Sequence, residues 1–296
     1  MKKIEEFKEL LHGGRERTVS IAAAADADVL EAASMLSKAG IAEPILVGDT
    51  EKIKVMAEKA GLGGARMIQA EDDAEAAVLA AECVRNREAD VLMKGLVNTS
   101  DFMRGVLNKE RGIRGEGILS HLVVNEAPAF EKLAFFTDGG INTYPTLDEK
   151  VGILRNAVDA VHKLGIDLPK VAALSANEVV NPKVVSSVDA DALAKMNAAG
   201  EITGCLVEGP IAMDVALSRE AARHKGIESR ISGDTDIFLV PNVDVGNILG
   251  KALIFAAGAK MAGVVLGAKA PIILVSRADS PESKFMSMIM ALAIAE

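Results

Sequence analysis

The sequence predicts an α/β protein with mainly parallel sheets, on three observations. Short β-rich runs alternate with longer helical runs through the first half of the chain. Those β-rich runs are almost continuously apolar, the pattern of strands buried on both faces by flanking helices. The chain also has no Trp, one Tyr and eight Phe although 50% of it is hydrophobic, so its interior falls to Ala, Val, Ile, Leu and Met. Such an interior suits sheets covered by Ala-rich helices.

Taken in order, Thr18 to Ala23 (TVSIAA) reads as a strand and Asp26 to Ala39 as the helix after it. Glu43 to Val47 is the next strand, ending at Gly48-Asp49-Thr50 before a charged helix. Ala65 to Gln69, a helix over Asp72 to Asn86 and the strand Asp90 to Met93 continue the rhythm. Leu133 to Asp138 is a strand that stops at a polar residue. Thr146 and Glu149 then have capping-box spacing, and Gly165 follows the last turn of the helix they open. Val151, Leu154, Val158, Val161 and Leu164 give that helix one apolar face. Later strands are expected at Lys170 to Leu174, Gly204 to Val207, Asp236 to Val240, Gly263 to Leu266 and Ile272 to Val275.

The 296 residues bring the chain near the size at which one core splits into two. The expected division gives a first α/β domain of residues 1–141 with 267–296 and a second of 142–266. The helix from Thr146 is read as the segment that carries the chain out of the first domain.

A net charge of −9 speaks against a general electrostatic grip on nucleic acid, while a local basic pocket can still receive a small anion. Cys83 and Cys205 lie far apart without metal-like spacing and read as buried small hydrophobes in a reducing compartment. His12, His121, His162 and His224 are scattered, so no metal site is expected. The start, MKKIEEFKELL, is charged and amphipathic, unlike a secretory signal. Lys260, Lys269 and turn glycines break the apolar tract from Ala252 to Val275, which reads as helix, strand, turn and strand rather than a membrane span. A soluble cytoplasmic protein is the expectation.

In open α/β sheets ligands bind beyond the carboxyl ends of strands, where loops enter helices. Four such places stand out. In Met93 to Asp101 a strand runs into Gly95 and then into residues able to cap a helix, with Arg104 one turn further on. Free backbone N–H groups there favour an anion, with Lys94, Asn98, Thr99 and Arg104 as candidate contacts. An ordinary helix cap beside a solvated Arg is the plainer reading of the same residues. In Thr137 to Asn142 (TDGGIN), paired glycines let backbone approach a ligand, with Asp138 and Asn142 beside it, or Asp138 simply forms a turn.

The third place is Pro241 to Lys251 (PNVDVGNILGK), where a buried strand meets a polar turn and then a helix carrying Asn247 and Lys251. It is not a P-loop, since its glycines are one residue too close and Ala252 stands where Ser or Thr is required. No GxGxxG dinucleotide fingerprint occurs at a strand-to-helix turn. In the fourth place an apolar strand delivers Ser276 and Arg277 to its carboxyl end, with Asp279 and Glu282 close behind. A cation, a hydroxyl and two acids in one loop suit anion handling, with an exposed salt-bridged loop as the alternative.

These four segments, in this order, resemble the phosphate acetyl/butyryltransferase family. The most specific pieces are PNVDVGNILGK and VLGAKAPIILVSRADS, supported by NTSDFMR (Asn98 to Arg104) and FTDGGINTYP (Phe136 to Pro145). The SRADS ending and the short length look more like the butyryl branch than the acetyl branch. The resemblance implies a two-domain isocitrate/isopropylmalate dehydrogenase-like fold with an interdomain cleft, and a homo-oligomer built on dimers. It implies the reaction acyl-CoA plus phosphate giving acyl phosphate plus CoA, with CoA and phosphate as substrates and no cofactor.

By position, Ser276 and Arg277 match the family's active-site pair and Arg104 a phosphate-binding arginine. The acetyl branch's proposed catalytic Asp falls near Ser283 here, which leaves Asp279, Glu282 or no carboxylate as the base. Phosphate acetyltransferase is the nearest alternative. An NAD-dependent hydroxy-acid dehydrogenase of the same fold and a non-catalytic acyl-CoA-binding protein are alternatives of other classes.

Overall fold

A computed structural model of the chain describes residues 1–11, 16–275 and 279–295. It is a mixed α/β protein whose strands run mostly parallel. Packing divides it into two units, Glu5–Gly117 with Ala262–Glu296 and Met1–Ile4 with Ile118–Met261, here the N-terminal and the central unit.

After a 3₁₀ helix over Ile4–Leu11, strands and helices alternate as β1 (Thr18–Ala22), α1 (Ala27–Lys38), β2 (Glu43–Gly48), α2 (Thr50–Ala60), β3 (Arg66–Gln69), α3 (Asp73–Arg85), β4 (Val91–Lys94) and α4 (Thr99–Val106). Asp26, Asp49, Asp72 and Asn98 cap the four helices, each side chain accepting a backbone N–H three residues on. β1 pairs in parallel with β2 on one side and β4 on the other, so Ile21 stands beside both Leu46 and Met93, and all three are fully buried. The chain therefore runs outward through β2 and β3 and then returns across β1 to β4. That reversal between β1 and β4 is the kind of switch point at which α/β sheets bind ligands.

The central unit holds β5 (Ser120–Glu126), β6 (Ala134–Thr137), α5 (Leu147–Lys163), β7 (Lys170–Leu174), α6 (Val185–Ala198), β8 (Leu206–Ile211), α7 (Met213–Leu217), α8 (Arg219–His224), β9 (Ile237–Leu239) and α9 (Val243–Phe255). Its strand order is β5-β6-β9-β7-β8, antiparallel only between β5 and β6. Phe136 and Phe238 stack with centroids 4.7 Å apart, in a core with Ala172, Ile211, Val215 and Ile231. α5 opens with the Thr146/Glu149 capping box. The buried Lys150 ties α5 to α6 through Asp189 at 2.6 Å. At the other end of the strands, Lys132 bonds Asp234 at 2.7 Å and Asp236 at 2.6 Å, and Lys170 bonds Asp234 as well.

The chain then returns to the N-terminal unit with β10 (Lys260–Leu266), β11 (Ile272–Ile273) and α10 (Pro281–Ala295). β11 lies parallel to β4, with Ile273 beside Met93, and antiparallel to β10.

Three details differ from the sequence reading. The units divide at Gly117/Ile118 and Met261/Ala262 rather than after residues 141 and 266, because β5 pairs with β6 and β6 with β9. The chain thus enters the central unit at β5, ahead of the helix from Thr146. The strand expected over Gly204 to Val207 begins later and runs to Ile211, which leaves the buried Cys205 just before it. No helix among the described residues is long and apolar enough to cross a membrane.

Candidate active site

In the N-terminal unit, β1, β4 and β11 lie side by side and each leads toward a helix start. Gly95 follows β4 and is demanded by a close approach: a Cβ there would stand 2.4 Å from the Ala23 carbonyl oxygen and 2.6 Å from that of Ala22. The Gly95 and Leu96 N–H groups bond those same two carbonyls, at 2.8 and 2.9 Å. Ala23 itself takes φ +50, a conformation unfavourable for a residue with a Cβ, at the strand end where the chain reverses.

Asn98, rather than a Thr, Ser or Asp, caps α4 and accepts the Asp101 N–H at 2.9 Å. Val97 and Phe102, both fully buried, occupy the two positions of a hydrophobic staple around that cap. Thr99 is the first helical residue and is exposed. Arg104 pairs with Asp101 at 2.5 Å while its side chain stays 77% exposed. Asp101 in turn accepts from the Asn98 amide. Lys94 is buried and donates to the Gly95 carbonyl at 3.2 Å.

Ser276 and Arg277 lie outside the described residues. Beyond them Ser280 opens α10, its hydroxyl accepting the Ser283 N–H at 3.3 Å, with Pro281 in the first helical position. The Glu282 carboxyl is held below the usual carboxylate range, first by its own backbone N–H and then by the Ser280 hydroxyl. Asp279 offers its backbone carbonyl to the buried Lys284, which lies 3.8 Å from Asp28 in the first turn of α1.

In the central unit, Asp138 follows β6 and is only 2% exposed. Its carboxylate accepts the backbone N–H groups of Gly140, Ile141 and Asn142 at 2.9, 3.0 and 3.2 Å, and the Asn142 side-chain amide at 2.6 Å. Asn142 also donates to the Leu119 carbonyl at 2.8 Å. Asp138 is thus the turn former that the TDGGIN segment allows.

The turn packs on α9, whose cap Asn242 accepts the Val245 N–H at 3.0 Å. Gly246 to Lys251 are helical, which settles the P-loop question in physical terms. Asn247 and Lys251, four residues apart, share one exposed face. Their side chains make no hydrogen bond or ion pair with a described residue. The two faces beside it differ. Leu249 and Leu253 pack on the core, while Val245, Ile248 and Phe255 are 40%, 69% and 81% exposed.

Sequence reasoning did not single out Gly95 as a contact that only glycine permits, nor the fastening of the turn to α9 by Tyr144 and Asp244, whose side chains hydrogen-bond. Both cysteines are buried, and burial pushes the Cys205 thiol up to about 11. Among the described residues no group of three or more His, Cys, Asp and Glu is placed to hold a metal.

The class defined by these features is a two-unit α/β protein with basic and amide groups gathered at strand ends that open into helices. A sequence model of the family described as "Phosphate acetyl/butaryl transferase" matches residues 2–76 and 64–292. The chain belongs to that family, which is one of acyltransferases. It is 44% identical over 297 residues to the phosphate butyryltransferase of Clostridium acetobutylicum, covering 99% of each chain. It is 39% identical over 284 residues to the phosphate acetyltransferase of Thermotoga maritima, covering 95% of this chain and 96% of that one. The crystal structure of a branched-chain phosphotransacylase from Enterococcus faecalis V583 superposes with a TM-score of 0.85 at 34% identity, covering 94% of this chain and 99% of the other.

Proposed function

We propose that the chain is a phosphate butyryltransferase, exchanging a short acyl group between coenzyme A and inorganic phosphate. The observation that carries this reading is an end-to-end likeness to a protein of that name.

Phosphate is ionised at neutral pH and needs orientation more than activation, which is worth several orders of magnitude in effective concentration. One of its oxygens attacks the thioester carbonyl carbon. A C–O bond forms, the carbonyl electron pair moves to oxygen and returns, and the C–S bond breaks with its electrons leaving on CoA sulfur. No covalent acyl-enzyme is needed. Arg104, Thr99 and the first-turn amides of α4 hold phosphate, with Lys94 and Asn98 shaping the same strand end. Arg104 then exchanges Asp101 for the substrate. Ser276 and Arg277 stabilise charge on the carbonyl oxygen or the departing thiolate. Asn247 and Lys251 offer free donors to CoA or phosphate, beside the turn of Asp138 and Asn142.

In the reverse direction CoA must lose its thiol proton. The base is Asp279, Glu282 or no carboxylate at all, with the Glu282 carboxyl held below its ordinary value by its own backbone N–H and the Ser280 hydroxyl. The finer architecture in this reading is the two-domain isocitrate/isopropylmalate dehydrogenase-like fold, supported by the two α/β units. The protein works in the cytoplasm, with CoA and phosphate as substrates and no cofactor. It works as a homo-oligomer, supported by the open apolar stripe of Val245, Ile248 and Phe255 on α9.

The test is release of free CoA thiol from butyryl-CoA with and without phosphate, run beside acetyl-CoA. Phosphate-dependent release that is faster with butyryl-CoA is expected. A preference for acetyl-CoA would move the chain to the acetyl branch, the reading favoured by its likeness to phosphate acetyltransferases. No phosphate-dependent release from either would sink both.

A further inference from the structure

We infer that Asp138 is a positioning residue, which fixes the place of Asn247 and Lys251 through the Gly139–Gly246 contact. The inference rests on the reading that these two side chains hold phosphate or CoA.

An ionised carboxylate has about four acceptor sites. Asp138 meets four N–H donors, one each from Gly140, Ile141 and Asn142 and one from the Asn142 side chain. Its oxygens are taken, it is only 2% exposed, and its charge would repel an anionic substrate. It therefore acts through its neighbours.

Those neighbours hold α9. Gly139 meets Gly246 so closely that a Cβ on Gly246 would stand 2.5 Å from the Gly139 Cα. Around this contact the Val240 N–H bonds the Thr137 carbonyl at 2.7 Å and the Val243 N–H bonds the Thr143 carbonyl at 3.0 Å. The Tyr144 hydroxyl bonds Asp244. Most helices are held by a buried face, but no residue of α9 is buried, and Leu249 and Leu253, only partly buried, lean on the core. The start of α9 thus takes its position from the turn that Asp138 organises, and Asn247 follows Gly246 directly.

Asp138→Asn keeps the side-chain volume but turns one acceptor into a donor that faces N–H groups. The experiment measures kcat and both KM values for Asp138→Asn, Lys251→Ala, the double variant of these two and Asn247→Ala, with Gly246→Ala as a second way to displace the helix. The expected result is an unchanged circular dichroism spectrum and a rise of roughly 10- to 100-fold in the KM that Lys251→Ala also raises. The double variant should be less impaired than the product of the two single effects, because both remove the same interaction. Gly246→Ala should raise the same KM. Fully multiplicative effects, or an unchanged KM in Asp138→Asn and Gly246→Ala beside a raised one in Lys251→Ala, would overturn the inference alone. Unchanged KM values in Lys251→Ala and in Asn247→Ala would remove the substrate role of α9, and the inference with it.

Discussion

Gly139 and Gly246 touch backbone to backbone, and a methyl group on Gly246 has no room while one on Gly139 would stand 3.0 Å from the Gly246 carbonyl carbon. Gly246→Ala would set its Cβ 2.5 Å from the Gly139 Cα and 2.9 Å from a Val240 methyl, so something must shift. Overpacking of this kind costs roughly 1–3 kcal/mol, which a lowered melting temperature would register. Gly250, one turn on, has nothing within 4 Å of a built Cβ. Gly250→Ala should therefore stabilise by about 0.5–1 kcal/mol through helix propensity alone. If both variants melt alike, the contact has been misjudged.

Arg277→Ala should lower kcat by roughly 100-fold or more if its guanidinium meets charge developing at the carbonyl. Arg104→Ala should act mainly on KM for phosphate, and Asp101→Asn, which releases Arg104 from its ion pair, should lower that KM. Arg219 makes a poor control, since its Nε donates to the Ser232 carbonyl at 3.3 Å. Arg85, exposed in the last turn of α3, is the better one. An Arg85→Ala loss as large as that of Arg277→Ala would refute the assignment.

Ile248→Asp and Phe255→Glu place charge on the open stripe of α9 without touching the core. Light scattering should show a wild-type assembly that falls to monomers in both variants. A wild-type monomer, or variants of unchanged mass, would clear α9 of any role in assembly.

Burial raises the pKa of both thiols, to about 11 for Cys205. Raised pKa values mean that the folded state favours the neutral thiol, and this contribution is lost as pH rises through about 11. At pH 8 a thiol reagent should modify neither cysteine in the native protein and both after denaturation. Fast native labelling would contradict the burial of Cys83 and Cys205.

Acid acts on the opposite sign. Hydrogen bonds from Lys132 and Lys170 hold Asp234 down to about 2, so its ionised form stabilises the fold above the ordinary carboxyl range. That contribution disappears as pH falls through about 2. Lys132→Met should move the acid-unfolding midpoint to higher pH, and an unmoved midpoint would count against the pairing.

The alternation of β1 through α4 is legible because each element carries its own local signal, such as Asp26, Asp49 and Asp72 placed to cap a helix. The Thr146/Glu149 box is equally local. β5 escaped because its apolar residues lie between Ser120-His121 and Asn125-Glu126, and what makes it a strand is pairing with β6. α6 escaped because Val184, at its cap, makes no side-chain cap bond and its apolar residues do not gather on one face. At the strand ends the residue types could be read, but not their engagements. That Asp138 is consumed by its own turn, Arg104 by Asp101 and Lys94 by burial depends on backbone direction, which spacing alone does not supply.

The N-terminal unit draws most of β10 and all of β11 and α10 from Ala262 onward, and β11 is the strand that covers the open side of β4. During synthesis on the ribosome, β4 therefore waits with a bare edge until the whole central unit has emerged. The central unit is almost one continuous stretch from Ile118 to Met261. Nascent chains are thus open to edge-to-edge aggregation along β4 until β11 emerges, and chaperones gain by binding there.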